Sequence, residues 1–362
     1  MAKALIVGAG AIGRGYLPWE LKNFEITFYD HSLTLISDLQ SKGGYHTYMT
    51  FGNRLEAMYL ENAKFCSDVN ELVFNSFDIA IICVGPRNLR YIPSKLAMLR
   101  CPLFSLENDS KTVQFLREHL NKADVYFGVP DVITSFTASP KNLEYDSNAL
   151  HTENGVLYLE DSCSIPSEIK AIMPGVQWVD KNRMTKEWDA KLYIHNTPHC
   201  IAAFYGYLHN CEYVHEALEI PDIRDTLVGV IDEVLQTLKI VTNHDHDFLE
   251  WYAEKEVIRF SNTLLFDPVC RVAREPLRKL APKGRLVGIM RLAIGAGVIP
   301  INIAKGVASA LKYDNPSDPD SIFMHNIEVI GLPAFLSYMV GISPQSVEAG
   351  LIIKAFENFR VV

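Results

Sequence analysis

Residues 4–15 read Ala-Leu-Ile-Val-Gly-Ala-Gly-Ala-Ile-Gly-Arg-Gly, and this stretch decides the fold. Ala4 to Val7 is a short apolar run of the kind that forms a strand buried on both faces of a parallel sheet. Gly8, Gly10 and Gly13 follow at G-x-G-x-x-G spacing and open a helix-forming segment. A second strand-like run, Ile26-Thr27-Phe28-Tyr29, ends in Asp30. In this setting the first glycine permits a tight turn, the second lets backbone approach a pyrophosphate, and the third packs helix on strand. Backbone N–H groups at the helix start, around Ala11, Ile12 and Arg14, are then expected to face the phosphates, helped by the helix dipole. Asp30 stands 22 residues after Gly8, where an acidic side chain hydrogen-bonds the adenine ribose hydroxyls. A 2′-phosphate there would meet a like charge, so NAD is expected over NADP.

Working outward, strand-like and helix-like segments alternate through the first half. Residues 78–84 read as a buried strand ending at Val84-Gly85-Pro86, and the runs 103–106, 125–129 and 156–159 follow at intervals suited to crossover connections. The expected architecture is α/β: a Rossmann-type doubly wound sheet over residues 1–185, then a mostly α-helical domain over residues 186–362. Ligands in such sheets bind beyond the carboxyl ends of the strands, which places Gly85-Pro86 and Glu107-Asn108 beside the nicotinamide half of a dinucleotide. In the second half Leu227, Ile231, Val234, Leu235 and Leu238 recur at helical spacing. Ser343 before Pro344 predicts an N-cap, opening a helix with Val347, Leu351, Ala355 and Phe359 on one face.

The chain has 362 residues, enough for two domains with ample core. A net charge of −9 with no basic block argues against nucleic acid as a partner. The apolar stretch at residues 4–12 carries the glycine loop and does not read as a signal peptide, and no segment reaches transmembrane length. Seven cysteines without a C-x-x-C pair predict reduced, mostly buried thiols in a cytoplasmic protein. A monomer or homodimer is expected.

Lys191, Asn196 and His199 form the second informative group, spaced Lys-x4-Asn-x2-His. Positions three and eight apart return to nearly the same helix face, so the three side chains can converge at the junction of the two domains. A Lys, an amide and an imidazole suit a carbonyl/alcohol pair: one moves the proton, one holds the oxygen, one orients the substrate. From these residues alone, a surface Lys, a capping Asn and a core His remain the alternative. As the base in alcohol oxidation near neutrality, a lysine has to titrate at about 7–8 rather than at its ordinary pKa of about 10.4.

With these residues in place, the chain resembles the polyol-specific long-chain dehydrogenases, most closely their mannitol-1-phosphate 5-dehydrogenase branch. The resemblance rests on Gly8 through Gly15, Val84-Gly85-Pro86, Glu107-Asn108, and Lys191 through His199. It extends to Arg259-Phe260-Ser261-Asn262, Arg274 through Leu280, and Arg285-Leu286. It implies a metal-independent NAD enzyme in which Lys191 is the acid/base, Asn196 and Asn108 bind the substrate oxygen, and His199 orients substrate. Val84, Gly85, Pro86 and Asn108 would also border the cofactor, and Asn262, Arg278, Lys279 and Arg285 the polyol or sugar phosphate. The chain departs from the family pattern at Pro130-Asp131-Val132-Ile133 and Pro300-Ile301-Asn302, which lack the family's basic residues. Alternatives are a reductase of an uncharged ketose or a hexuronate, a β-hydroxyacid dehydrogenase type, and a non-catalytic NAD-binding sensor or scaffold. His244-Asp245-His246-Asp247 resembles a metal cluster, but neighbouring helical residues diverge, and a solvated turn is expected there.

Overall fold

The structure, a computed structural model, describes residues 1–359. The chain forms two compact units: Met1–Trp188 with Leu264–Phe266, and Asp189–Thr263 with the chain from Asp267 onward.

The first unit is built on an eight-stranded sheet. Its strands are β1 (Ala2–Val7), β2 (Phe24–Tyr29), β5 (Lys64–Cys66), β6 (Ile79–Ile82), β7 (Leu103–Ser105), β8 (Val125–Asp131), β10 (Val156–Glu160) and β11 (Gln177–Val179). Their order is β11-β10-β8-β7-β6-β1-β2-β5. From β5 to β8 every pairing is parallel, and β1 lies between β2 and β6, with Val7 opposite both Tyr29 and Ile82. The order reverses at β1, the switch point at which open α/β sheets bind ligands. Successive β1 side chains serve opposite faces. Ala4 and Ile6 join the core containing Phe28, Ile79 and Phe104, while Leu5 and Val7 join the one containing Ala80, Leu103 and Phe127. The run 156–159, expected to follow by a crossover, is antiparallel: Leu157 faces Pro130 of β8.

A second, three-stranded sheet was not expected. β3 (Tyr45–Phe51) and β4 (Arg54–Leu60) form a hairpin, and β9 (Leu150–Glu153) pairs parallel with β3. The turn is Gly52-Asn53, with Gly52 at φ 59°, so the two-residue glycine turn between aromatic and β-branched runs was its sequence signal.

The second unit is helical. The helix Asn196–Leu208 is buried from Asn196 through Gly206, as expected of an element covered on all sides. Its neighbours include Pro221–Val241 and Ile301–Leu311. Gly306 brings the latter close, since a Cβ there would lie 2.3 Å from Ile201 Cδ1. Along Pro221–Val241, Leu227, Ile231, Val234 and Leu238 are buried as the spacing requires, whereas Leu235 is only half-buried. The last described helix is Val347–Asn358, capped by Ser346, whose Oγ accepts from Ala349 N–H, rather than by Ser343. Ala349 and Ile352 form its buried face; of the expected face, Val347 is exposed and Leu351 and Ala355 are half-buried. Among the described residues no helix is long and apolar enough to cross a membrane. All seven cysteines are free; Cys66, Cys101 and Cys200 are buried, and Cys163 and Cys270 are exposed, so fewer are buried than expected.

Glu233, buried on Pro221–Val241, caps Ile301–Leu311. Its Oε1 accepts from Asn302 N (2.7 Å) and Nδ2 (2.9 Å), and its Oε2 from Ile303 N (2.9 Å). The carboxylate thus meets the positive end of a helix and satisfies two of its open N–H groups. Glu233→Ala should lower unfolding stability by about 2–4 kcal/mol in denaturant titrations, and Glu233→Gln by less.

Candidate active site

In the first unit the glycine loop leaves β1 at Gly8, whose φ of 108° requires glycine and whose N–H bonds Tyr29 O at 2.8 Å. A Cβ on Gly13 would lie 2.0 Å from Gly8 O, so helix and strand meet backbone to backbone. A Cβ on Gly10 would meet nothing within 4 Å, and Gly10 is exposed. The loop is therefore tight where it packs and open where a pyrophosphate would approach. Ala11–Tyr16 is a wide π-turn, closed by Leu17 N–H on Ile12 O, and continues as the helix Leu17–Glu20.

Arg14, expected at the phosphates, turns its side chain inward. Its Nε donates to Ala9 O (2.7 Å), an Nη to Asn148 O (3.0 Å), and its guanidinium lies 5.2 Å from the centre of the Tyr45 ring. Burial lowers its pKa. The side chain braces the loop, and the helix-start backbone is what remains for a ligand. Asp30 closes the other flank: Oδ2 accepts from Ala9 N (2.8 Å) and Oδ1 from Ser32 N (2.9 Å). Each carboxylate oxygen has a further lone pair for ribose hydroxyls.

At the ends of β6 and β7, buried Glu107 accepts from Val84 N (2.7 Å) and Gly85 N (3.0 Å) through one oxygen. It fixes the Val84-Gly85-Pro86 turn, in which Gly85 has φ 91°. Asn108 follows and is exposed. The glycine loop, this turn and Asn108 thus share the carboxyl edge of the parallel strands.

In the second unit Lys191 lies on a π-turn, Ala190–His195, that runs straight into the buried helix Asn196–Leu208. The convergence expected from α-helical spacing fails for Lys191 and Asn196, which an α-helix would set about 140° apart around its axis. The π-turn instead closes Asn196 N–H on Lys191 O, five residues back, so the two residues stand one turn apart. Lys191 is 4% exposed and Asn196 5%. The Asn196 Nδ2 is buried with no hydrogen-bond partner among the described residues. An orphaned buried amide is expensive, and where one persists it calls for a functional reason.

His199 follows one turn later. Its Nε2 lies 3.0 Å from Asp267 Oδ2, and its ring is stacked on Phe260 at 5.0 Å and 5°. Asp267 Oδ1 in turn accepts from Arg271 Nε at 2.8 Å and an Nη at 2.5 Å. Burial alone would raise the Asp267 carboxyl, but Arg271 and His199 together hold it below its ordinary pKa. His195 is locked similarly: its Nδ1 lies 2.6 Å from Glu256 Oε2, and Glu256 Oε1 accepts from Arg259 at 2.6 Å.

Thr197 Oγ1 donates to Arg285 O (2.7 Å), which brings the basic segment beside this helix. The expected substrate groups then separate. Arg278 Nε is paired with Glu275 Oε2 at 2.5 Å, and buried Lys279 donates to Arg274 O. Burial, reinforced by Arg285 and Arg278, pushes the Lys279 ammonium well below its ordinary pKa. Arg285 is 8% exposed, burial takes its pKa down to about 10, and no hydrogen bond to its guanidinium exists among the described residues. Asn262 is half-buried in the turn after Glu256–Phe260. Glu275, beside Arg274, holds a left-handed φ of 59°, a strained conformation of the kind that gathers at ligand clamps.

Residues 187–328 match the family model for the mannitol dehydrogenase C-terminal domain. A mannitol-1-phosphate 5-dehydrogenase of Caldanaerobacter subterraneus subsp. tengcongensis is 27% identical over 96% of this chain and 95% of its own. Another, of Thermoanaerobacter pseudethanolicus, is 28% identical over 99% and 98%. Over nearly its full length the chain is thus similar to mannitol-1-phosphate 5-dehydrogenases, and its residues 187–328 to the C-terminal domain of mannitol dehydrogenases. A Pseudomonas fluorescens mannitol 2-dehydrogenase, solved as a ternary complex with NAD and D-mannitol, superimposes with a TM-score of 0.76. It is 17% identical, and the match covers 98% of this chain and 90% of that one. The chain therefore shares the fold of that enzyme over nearly its whole length.

Three site features escaped sequence reasoning: the Glu107 clamp, the Asp267–Arg271 pair and the Glu256–Arg259 pair. The spacings Asp267/Arg271 and Glu256/Arg259 were visible as helical charge pairs, but nothing local shows that each carboxylate's other oxygen faces a histidine. The expected metal-like run resolves into ordinary contacts: Asp245 caps His246–Glu254, and His244 Nε2 lies 2.9 Å from Asp189 Oδ2. The orphaned amide yields a test. Asn196→Leu should leave denaturant stability unchanged or raise it by about 1 kcal/mol while abolishing turnover, because it removes a buried unpaired donor.

Proposed function

We propose that this protein is an NAD-dependent oxidoreductase that interconverts a polyol phosphate of the mannitol-1-phosphate type and a ketose phosphate of the fructose-6-phosphate type. The reading rests on the curated relatives and, in the structure, on one observation above the others: a buried, unpartnered Asn196 amide one turn from a buried Lys191. The second unit thereby presents a proton-transfer group and an electrophilic donor on consecutive turns, which suits a carbonyl oxygen that gains charge during reduction.

The residues present fit the cofactor. Space beside Gly10 admits a pyrophosphate where Ala11 and Ile12 open the helix, and the Asp30 carboxylate beside Ala9 suits the adenine ribose. NAD, when bound, takes or supplies the hydride. Asp30 holds the ribose hydroxyls and repels a 2′-phosphate. Lys191 takes the hydroxyl proton in oxidation and returns it in reduction. Asn196 donates to the substrate oxygen, and His199 orients the neighbouring hydroxyls. Arg285 binds the phosphate: its guanidinium has unused donors and a bidentate shape suited to a phosphoryl group. The free thiols accord with a cytoplasmic setting.

The deciding experiment is oxidation of NADH with fructose 6-phosphate, fructose and a keto-uronate side by side. Turnover of the phosphate ester far above the other two is expected, and Arg285→Leu should remove that advantage. Preference for fructose or the uronate would replace the reading. NAD should be favoured over NADP by roughly 10- to 150-fold, the value of a hydrogen bond to a charged group; Asp30→Ser should erase most of that preference.

Lys191→Ala should lower kcat by several orders of magnitude while the dissociation constant for NADH stays within a few-fold. Polyol oxidation, which consumes the neutral amine, should rise with pH through one ionisation below 10. Ketose reduction, which consumes the ammonium, should fall over the same range. A Lys191→Ala enzyme with the parent's pH profile would refute the assignment.

A further inference from the structure

We propose that Asp267, clamped by Arg271, is a positioning residue that holds His199 as its Nε2–H tautomer, so that Nδ1 accepts a hydrogen bond from a substrate hydroxyl. The inference rests on the polyol reading above and deepens it, since it assigns the sense of one substrate contact.

An ionised carboxylate only accepts hydrogen bonds. Asp267 Oδ1 is taken by the Arg271 fork, and Oδ2 faces His199 Nε2 at 3.0 Å. The His199 nitrogen at this contact therefore carries the proton. Arg271 and His199 keep the carboxyl below its ordinary pKa in spite of burial, so the acceptor state persists at working pH. The stacked Phe260 ring fixes the imidazole plane. Among the described residues nothing hydrogen-bonds Nδ1. A neutral imidazole protonated at Nε2 has a lone pair at Nδ1, and only a donor can satisfy it.

Asn196 lies three residues earlier on the same buried helix and offers the opposite character, an unpaired donor. The helix end thus presents one donor and one acceptor side by side. A ketose with a hydroxyl next to its carbonyl matches that pair, with the carbonyl oxygen on Asn196 and the hydroxyl hydrogen on His199. A ketone without that hydroxyl leaves Nδ1 unsatisfied, which is how a polar site rejects an analogue.

Asp267→Asn supplies a test of nearly constant size. Arg271 requires an acceptor, so the amide oxygen turns to it and the amide nitrogen turns to His199. Nε2 then has to accept, and the proton moves to Nδ1. Two-bond ¹⁵N–¹H spectra, with His199 assigned through its loss in His199→Gln, should show Nε2–H in the parent and Nδ1–H in Asp267→Asn. The kcat/KM for the ketose phosphate should fall about 10- to 100-fold, while NADH affinity stays within twofold. Asp267→Glu, which restores a carboxylate, should keep Nε2–H and recover part of the loss.

Nδ1–H in the parent, or parental kcat/KM in Asp267→Asn, overturns the proposal. If Asp267→Asn does not fold, the parent spectrum and Asp267→Glu still decide it. A parent that turns over no polyol or polyol phosphate would sink the functional reading alone, because the tautomer is measured without turnover.

Discussion

The helical unit is organised around a single constraint: the helix Asn196–Leu208 is buried along nearly its whole length, yet its first turn is polar. A buried polar group without a partner destabilises the fold by roughly 1–3 kcal/mol, so each of these side chains must be met by something. Thr197 donates to the Arg285 carbonyl and His199 meets Asp267, while His195, on the preceding turn, meets Glu256. Each partner comes from a different part of the sequence, so the need to satisfy one helix end draws residues 256, 267 and 285 to the same place. The Asn196 amide is what remains when that matching is complete. Its unpaired state reads as a site held ready for a ligand rather than as a defect of packing.

The carboxylates that meet the two histidines are themselves held by arginines. A histidine–carboxylate pair buried alone would carry a large desolvation penalty, and the arginine at the far oxygen offsets it. Arg271 and Arg259 are thus part of the same arrangement although neither lies on the helix. Rigid polar chains of this kind fix ring orientation and proton position together, both of which a hydrogen-bonding site requires.

The nucleotide-binding unit solves a different problem by different means. There the requirement is close approach of backbone to backbone, and side chains mostly brace. Gly13 lies against the Gly8 carbonyl, Arg14 ties the loop to residues 9 and 148, and Glu107 pins the Val84-Gly85 turn. The acidic residues Asp30 and Glu107 each hold backbone N–H groups, which makes the strand ends rigid before any cofactor arrives. Such preorganisation lowers the ordering penalty of binding.

Local sequence determined the elements whose signals are short-range. The strand–glycine–helix unit was legible because only glycine tolerates the φ at Gly8 and the contact at Gly13, and a run such as 79–82 is apolar on both faces only when a sheet buries it. The Lys-x4-Asn-x2-His spacing was legible as chemistry. Its geometry was not, because α-helical periodicity would have splayed Lys191 from Asn196, and the π-turn that aligns them has no sequence rule. The hairpin at 45–60 was readable from Gly52-Asn53, yet its pairing with β9, about 100 residues later, was not. The separate fates of Arg278, Lys279 and Arg285, alike in sequence, were decided by what each met in three dimensions: a carboxylate, a carbonyl, or, among the described residues, no hydrogen-bond partner. Backbone sterics and periodicity act over a few residues and can be read from the chain; satisfaction of buried polar groups depends on distant segments, and only the tertiary structure settles it.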